Sequence, residues 1–167
     1  MPDAVAGTDL DETPLRGEVP RQTAARLARA KAAAAATPGA WVLAADTIVA
    51  CGCRTLPKAA SETEARGCLR LLSGRRHRVL TAVVLVAPDG RRAERLVQSV
   101  VGFSRLTEAQ VGAYIEAGEW RGKAGGYAIQ GRAAAYVRFL SGSYSNVVGL
   151  PLFETVSLLR GLGYLLP

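Results

Sequence analysis

Residues 41–50 read WVLAADTIVA, a nearly continuous apolar run interrupted by one carboxylate, and a run of this kind suits a central strand buried on both faces. Upstream, VPRQTAARLARAKAAAAATPG has a proline near its first turn and a TPG stop, which predicts a helix carrying Leu27 and Lys31 on one face at a four-residue spacing. Downstream, SETEARGCLRLLSG opens on a capping box, Ser61 with Glu64, and closes at Gly74, so a second helix follows the strand. RHRVLTAVVLVAPDGRRAERLVQSVVGF then predicts two long strands around a PDG turn. Thr107 and Gln110 cap a helix that Gly118 ends. The chain finishes with a strand in AAAYVRFL, a loop in SGSYSNVVGL and a helix begun at Pro151. No long linker, repeat or low-complexity tract separates these segments, apart from five alanines that favour helix. Residues 1–167 therefore read as a single α/β domain.

Composition narrows the class. Hydrophobic residues make up 49% and charged residues 21% of 167, as in a soluble globular chain. No apolar run approaches the roughly 20 residues of a membrane helix, and MPDAVAGTDLDETPLRGE has neither the basic start nor the apolar core of a leader. The expectation is a cytoplasmic protein with no membrane partner. Cys51, Cys53 and Cys68 cannot all pair, and Cys-x-Cys is one residue short of the usual zinc knuckle, so free thiols are expected. The formal charge of +7 raises nucleic acid as a partner, but arginines are spread from Arg16 to Arg160 and lack a clustered basic and aromatic face. Small anionic ligands such as phosphates fit the same charge, and nucleic acid is not expected.

The basic residues are uneven in kind. Of 21, 18 are arginine and three are lysine: Lys31, Lys58 and Lys123. Three residues make a small sample, yet a compact ammonium suits a phosphate oxygen met at a point, where a planar guanidinium does not. Asp46 sits inside the apolar run, where an aspartate is costly unless a cation, a metal or donors meet it. An aspartate capping a turn would look similar, but apolar residues continue on both sides and favour a functional group. Asp9, Asp11 and Glu12 crowd before a proline and, with Asp46, could supply oxygen ligands for Mg2+. Lys58 leaves a turn just after the Asp46 strand, where it could reach a phosphate from the same edge. Carboxylates, a hard metal and lysines together describe phosphoryl chemistry.

The blocks LAADTIVA, LPK, LRLLSGRRHRVLTAV, GEWRGKAGGYAIQGRAAAYV and SGSYSNVVGLPLFET, in this order through almost the whole chain, resemble the Maf family of nucleotide pyrophosphatases. The resemblance implies a Maf/ITPase-like fold, a central mixed twisted sheet flanked by helices. It implies an enzyme that hydrolyses nucleoside triphosphates between the α and β phosphates, with a divalent metal, Mg2+ or alternatively Mn2+. By carry-over Asp46 is the proton acceptor and a metal ligand with Glu12. Thr47 tunes the substrate, Lys31 and Lys58 face phosphates, and Glu12 and Lys123 match further pocket positions. The KAGxYxIQG form resembles the branch that prefers dTTP and UTP, and the amide of Gln130, both donor and acceptor, suits a thymine or uracil edge. Family analogy also implies a homodimer.

One block is absent. Family members begin with a strand and a loop of the form LASxSPRR, whose serine and arginines bind the triphosphate, and nothing here matches it. The expectation is a domain short of its first strand and weakly active unless extended. A nucleotide-binding or cell-division regulator without turnover is the alternative that this keeps open. His77 is expected as a structural hydrogen-bonder, Trp41 and Trp120 as packing residues, and the Asn146 loop as a pocket rim or dimer contact.

Overall fold

The computed structural model describes residues 4, 5, 7 and 10–165. Its elements are α1 (Pro20–Ala34), β1 (Val42–Cys51), β2 (Arg54–Leu56), α2 (Glu62–Leu72), β3 (Arg76–Val86), β4 (Arg92–Phe103), α3 (Glu108–Glu116), a 3-10 helix (Arg132–Tyr136), β5 (Val137–Ser141), α4 (Tyr144–Val148) and α5 (Leu152–Leu162). The strands form one sheet in the order β2-β1-β3-β4-β5. Where a mixed sheet was expected, every pairing among the described strands is antiparallel. Tight turns give β1–β2 and β3–β4, and α2 returns the chain so that β3 runs antiparallel to β1.

Side chains alternate across the sheet, so consecutive residues serve opposite layers. On one face α1 lays Ala24, Ala28 and Ala32 against Ala82 and Val84 of β3. Small alanines let the helix approach closely, which brings Lys31 down onto the sheet. On the other face α2 and α3 enclose the main core, in which Leu69, Leu72 and Tyr114 pack with Val79, Val101 and Phe103. A smaller cluster joins Val83 and Leu85 to Leu158 of α5.

Several details differ from the sequence expectation. β1 is buried on both faces only in part, since Leu43 is exposed and Thr47 half-buried. β2 was not foreseen. Arg132–Tyr136 is a 3-10 helix, so the strand starts only at Val137. SGSYSNVVGL is not all loop: Ser143 accepts from the Asn146 N–H at 3.2 Å and starts the short helix α4. Of the α2 capping box only half forms as written. Ser61 accepts from the Glu64 N–H, while Glu64 accepts from the Ala60 N–H instead of that of Ser61. No described helix is long and apolar enough to cross a membrane.

Candidate active site

β2 pairs only with Val49–Cys51, so Asp46 and Thr47 lie on a stretch of β1 whose outer edge has no strand partner among the described residues. A cleft of about 240 Å³ opens there. Into it come Lys31 from α1, Asp46 and Thr47 from β1, Lys58 from the turn after β2, and Lys123 and Gln130 from the glycine-rich loop. All three lysines of the chain therefore meet in one place. Glu12 lines an adjoining apolar hollow that shares Thr47, Lys58 and Ala124 with the cleft.

Asp46 is buried, at 4% exposure. Its Oδ1 accepts from Lys31 Nζ at 2.5 Å, while its Oδ2 is buried with no hydrogen-bond partner among the described residues. Lys31 Nζ also donates to Glu12 Oε1 at 2.8 Å, and Lys58 Nζ donates to both Glu12 oxygens at 2.8 and 2.6 Å. Two ammonium groups thus grip one carboxylate as they would grip an oxyanion. Burial pushes the Asp46 carboxyl above its ordinary range, and the pull of Lys31 does not cancel it. Burial opposes the charge on Lys31, yet hydrogen bonds to Asp46 and Glu12 prevail and hold its pKa above the usual ammonium value. Burial raises Glu12 as well, but Lys31 and Lys58 together bring it below the usual carboxylate range.

The glycine-rich loop is fixed by its backbone. Gly125 has φ +70°, and a Cβ there would lie 2.9 Å from Val49 Cγ1. Its N–H donates to Pro57 O at 3.0 Å, and Lys58 and Ala124 form an antiparallel bridge. Ala128 N–H donates to the Tyr114 hydroxyl at 3.0 Å, and the Tyr127 hydroxyl lies 2.7 Å from His77 Nε2. Glu119 accepts from the Arg132 N–H at 2.7 Å, closing the far end. Lys123 and Gln130 are exposed on this frame and reach the cleft from the side opposite α1.

Asp46 Oδ2, unpartnered among the described residues, and Glu12, which shares Lys31 with Asp46, offer the hard oxygens a divalent cation takes, although no group of three or more His, Cys, Asp or Glu gathers among the described residues. Two protein carboxylates fit a Mg2+ that draws its other ligands from phosphates and water. Asp11 is turned away from this task, accepting from the Thr13 N–H at 2.9 Å, and Asp9 lies outside the described residues.

Of the residues singled out in the sequence, Asp46, Thr47, Lys31, Lys58, Lys123 and Gln130 come together, with Glu12 bridging two of the lysines. His77 is a buried hydrogen-bonder, and Trp120 packs with its Nε1 donating to Ile115 O at 3.1 Å. Trp41 meets Tyr164 edge-on at 5.2 Å. The three cysteines are free. The Asn146 loop does border the cleft, through Val147, Val148 and Gly149, while Asn146 itself is fully buried beneath it. Thr81, Tyr114 and Ser99 are not singled out by the sequence, where a threonine, tyrosine or serine within a strand or helix carries no signal of its own.

Residues 2–162 match the family described as Maf-like protein. The chain is 61% identical to the dTTP/UTP pyrophosphatase of Granulibacter bethesdensis, over 98% of this chain and 84% of that protein. It is 58% identical to the dTTP/UTP pyrophosphatase of Caulobacter vibrioides, over 98% and 86%, and 61% identical to that of Paramagnetospirillum magneticum, over 98% and 87%.

Proposed function

The chain belongs to the Maf family, and on that premise we propose that it is a nucleoside triphosphate pyrophosphatase acting on dTTP and UTP. The observation that carries the reading is the convergence of all three lysines on one cleft around a buried aspartate with a free oxygen. The triphosphate competes with Glu12 for Lys58 and Lys31, and Lys123 adds charge from the loop side. Asp46 Oδ2 accepts the proton of the attacking water as its oxygen bonds to the α-phosphorus. The bond to the bridging oxygen breaks, and pyrophosphate leaves with the monophosphate remaining. A carboxyl pushed up by burial holds that proton better than an exposed one would. Lys31 balances the charge that grows on the departing oxygens, and Lys58 holds the phosphates in the ground and transition states alike. Asp46 and Glu12 would hold a divalent cation, Mg2+ or Mn2+, which would supply Lewis-acid neutralisation of the phosphates. Gln130 and Thr47 face the nucleoside end of the cleft, where an amide matches a pyrimidine edge.

The test is pyrophosphate release from dTTP, UTP, CTP, ATP and GTP with Mg2+, comparing the protein with Asp46→Asn. Release from dTTP and UTP that disappears in the variant supports the proposal. Equal release by both proteins overturns the role of Asp46, and tight nucleotide binding without release by the unaltered protein marks a regulator rather than an enzyme.

A further inference from the structure

Asp46 and Thr47 are consecutive on β1 but leave the sheet on opposite faces, Asp46 toward α1 and Thr47 toward α4. Thr47 Oγ1 lies 2.9 Å from the hydroxyl of Thr81, its cross-strand partner on β3, and 3.5 Å from Gly149 O. Thr81 is fully buried, and its Oγ1 donates to Asn146 O at 3.1 Å. Each hydroxyl has one proton. With Thr81 donating to Asn146, the Thr47 proton goes to Thr81. With Thr81 donating to Thr47, the Thr47 proton goes to Gly149 O. In both arrangements the protein itself offers that proton an acceptor, which leaves lone pairs of Thr47 for the cleft.

Both carbonyls belong to α4 and the residue that ends it, and a helix of five residues does not hold itself. Asn146 fastens it. Its buried Nδ2 donates to Val79 O at 3.2 Å on β3 and to Ser99 Oγ at 2.9 Å on β4. Ser99 in turn donates to Ser143 O at 3.1 Å and accepts from the Ser143 N–H at 3.0 Å. The short helix is thereby tied to two strands, and the carbonyls at 146 and 149 stand at fixed distances from Thr81 and Thr47.

We propose that Thr81 and Asn146 are positioning residues that present the Thr47 hydroxyl to the nucleotide as a hydrogen-bond acceptor, and that this acceptor reads the N3–H of uracil or thymine. The inference rests on the pyrimidine reading of the cleft. Uracil and thymine carry a donor at N3, whereas cytosine carries an acceptor there, so an acceptor-only hydroxyl meets cytosine lone pair to lone pair. A site whose polar groups are left unpaired by the wrong base rejects it more strongly than an apolar pocket does.

The experiment measures kcat/KM for UTP and CTP, and dissociation constants for their α,β-methylene analogues, in the unaltered protein, Thr81→Val and Thr81→Ser, with a thermal melt of each. Valine fits the strand and removes the nearer acceptor, so that the Thr47 proton keeps only the long contact to Gly149 O at 3.5 Å inside the protein and is freer to turn toward the cleft. The expected result is a fall of about tenfold in the UTP to CTP ratio for Thr81→Val, in turnover and in binding, with serine restoring it. An unchanged ratio, or equal weakening of both nucleotides, overturns the proposal. If the unaltered protein binds the UTP analogue but releases no pyrophosphate, the activity reading fails while the binding ratio still decides this one. Binding of neither analogue overturns both. Should Thr81→Val not fold, Thr81→Cys, close in volume and a weak donor, is measured in the same way.

Discussion

The two faces of β1 at Asp46 and Thr47 are built by different means. On the α1 side, Lys31, Asp46, Glu12 and Lys58 are held by ion pairs between side chains of four separate segments. On the α4 side, Thr47, Thr81, Asn146 and the glycine-rich loop are held by neutral hydrogen bonds to backbone and by close backbone contact. Long ionic side chains can exchange partners when an anion arrives, and a half-exposed pair adds little to stability. A buried amide or a glycine at a close approach cannot move without cost. Changes on the charged side should therefore cost activity, and changes on the neutral side should cost the fold.

The sharpest separation comes from Asp46→Asn. The side chain keeps its shape, and Lys31 keeps Glu12 as a partner, so the melting temperature should move by only a few degrees. Loss of the proton acceptor should lower kcat by a factor on the order of 10²–10⁴. A pyrophosphate-release assay alongside a thermal melt checks both halves, and a collapse of the melt with retained activity would reverse the comparison.

Gly125→Ala tests the other side. A left-handed φ of +70° strains any residue with a Cβ, and that Cβ would meet Val49 Cγ1 at 2.9 Å in a position backed by the core. Strain and overpacking together predict a destabilisation of about 2–4 kcal/mol by denaturant unfolding. Activity should fall only as far as the displaced loop carries Lys123 and Gln130 with it.

How much of this was legible beforehand differs along the same line. The charged side announced itself: an aspartate in an apolar strand and three lysines among 18 arginines are anomalies of residue type, visible without coordinates. The neutral side was mostly hidden. Thr81 sits in VLTAVVLV, where threonine is an ordinary strand residue, and only the pairing of β1 with β3 sets it opposite Thr47. Asn146 reads as a loop residue until Ser143 is seen capping a helix of five residues, too short for apolar periodicity to reveal. β2 escaped for the same reason, three residues giving no pattern. The antiparallel course of β3 beside β1 depends on how α2 crosses the sheet, which no local signal encodes.

His77 ties the loop to the sheet and gives the neutral side a pH dependence. It is buried with Nε2 against the Tyr127 hydroxyl and Nδ1 without a partner, and burial pulls its pKa down to about 4 from 6.5. The unfolded chain binds the proton more readily, so this contribution to stability is complete above pH 6.5 and is lost as pH falls through about 4. The full effect is about 3 kcal/mol at most. Denaturant unfolding between pH 7 and pH 4 should show the unaltered protein losing stability that His77→Gln does not lose over the same interval. Parallel curves would mean that the imidazole is free to charge in the folded state.

The smallest effect expected returns to the charged side. Lys58 is about half exposed and among the described residues pairs with Glu12 alone, so Lys58→Arg should leave the melting temperature within about 2 °C, because an exposed ion pair is worth little whichever cation makes it. The arginine keeps the charge but presents a planar fork where a compact ammonium now bridges both oxygens of one carboxylate. If the bridge marks the seat of a phosphate, KM for dTTP should rise about three- to tenfold with kcat held within about twofold, the signature of lost binding that is uniform between ground and transition states. A fall in kcat at constant KM would instead assign Lys58 to the departing pyrophosphate alone.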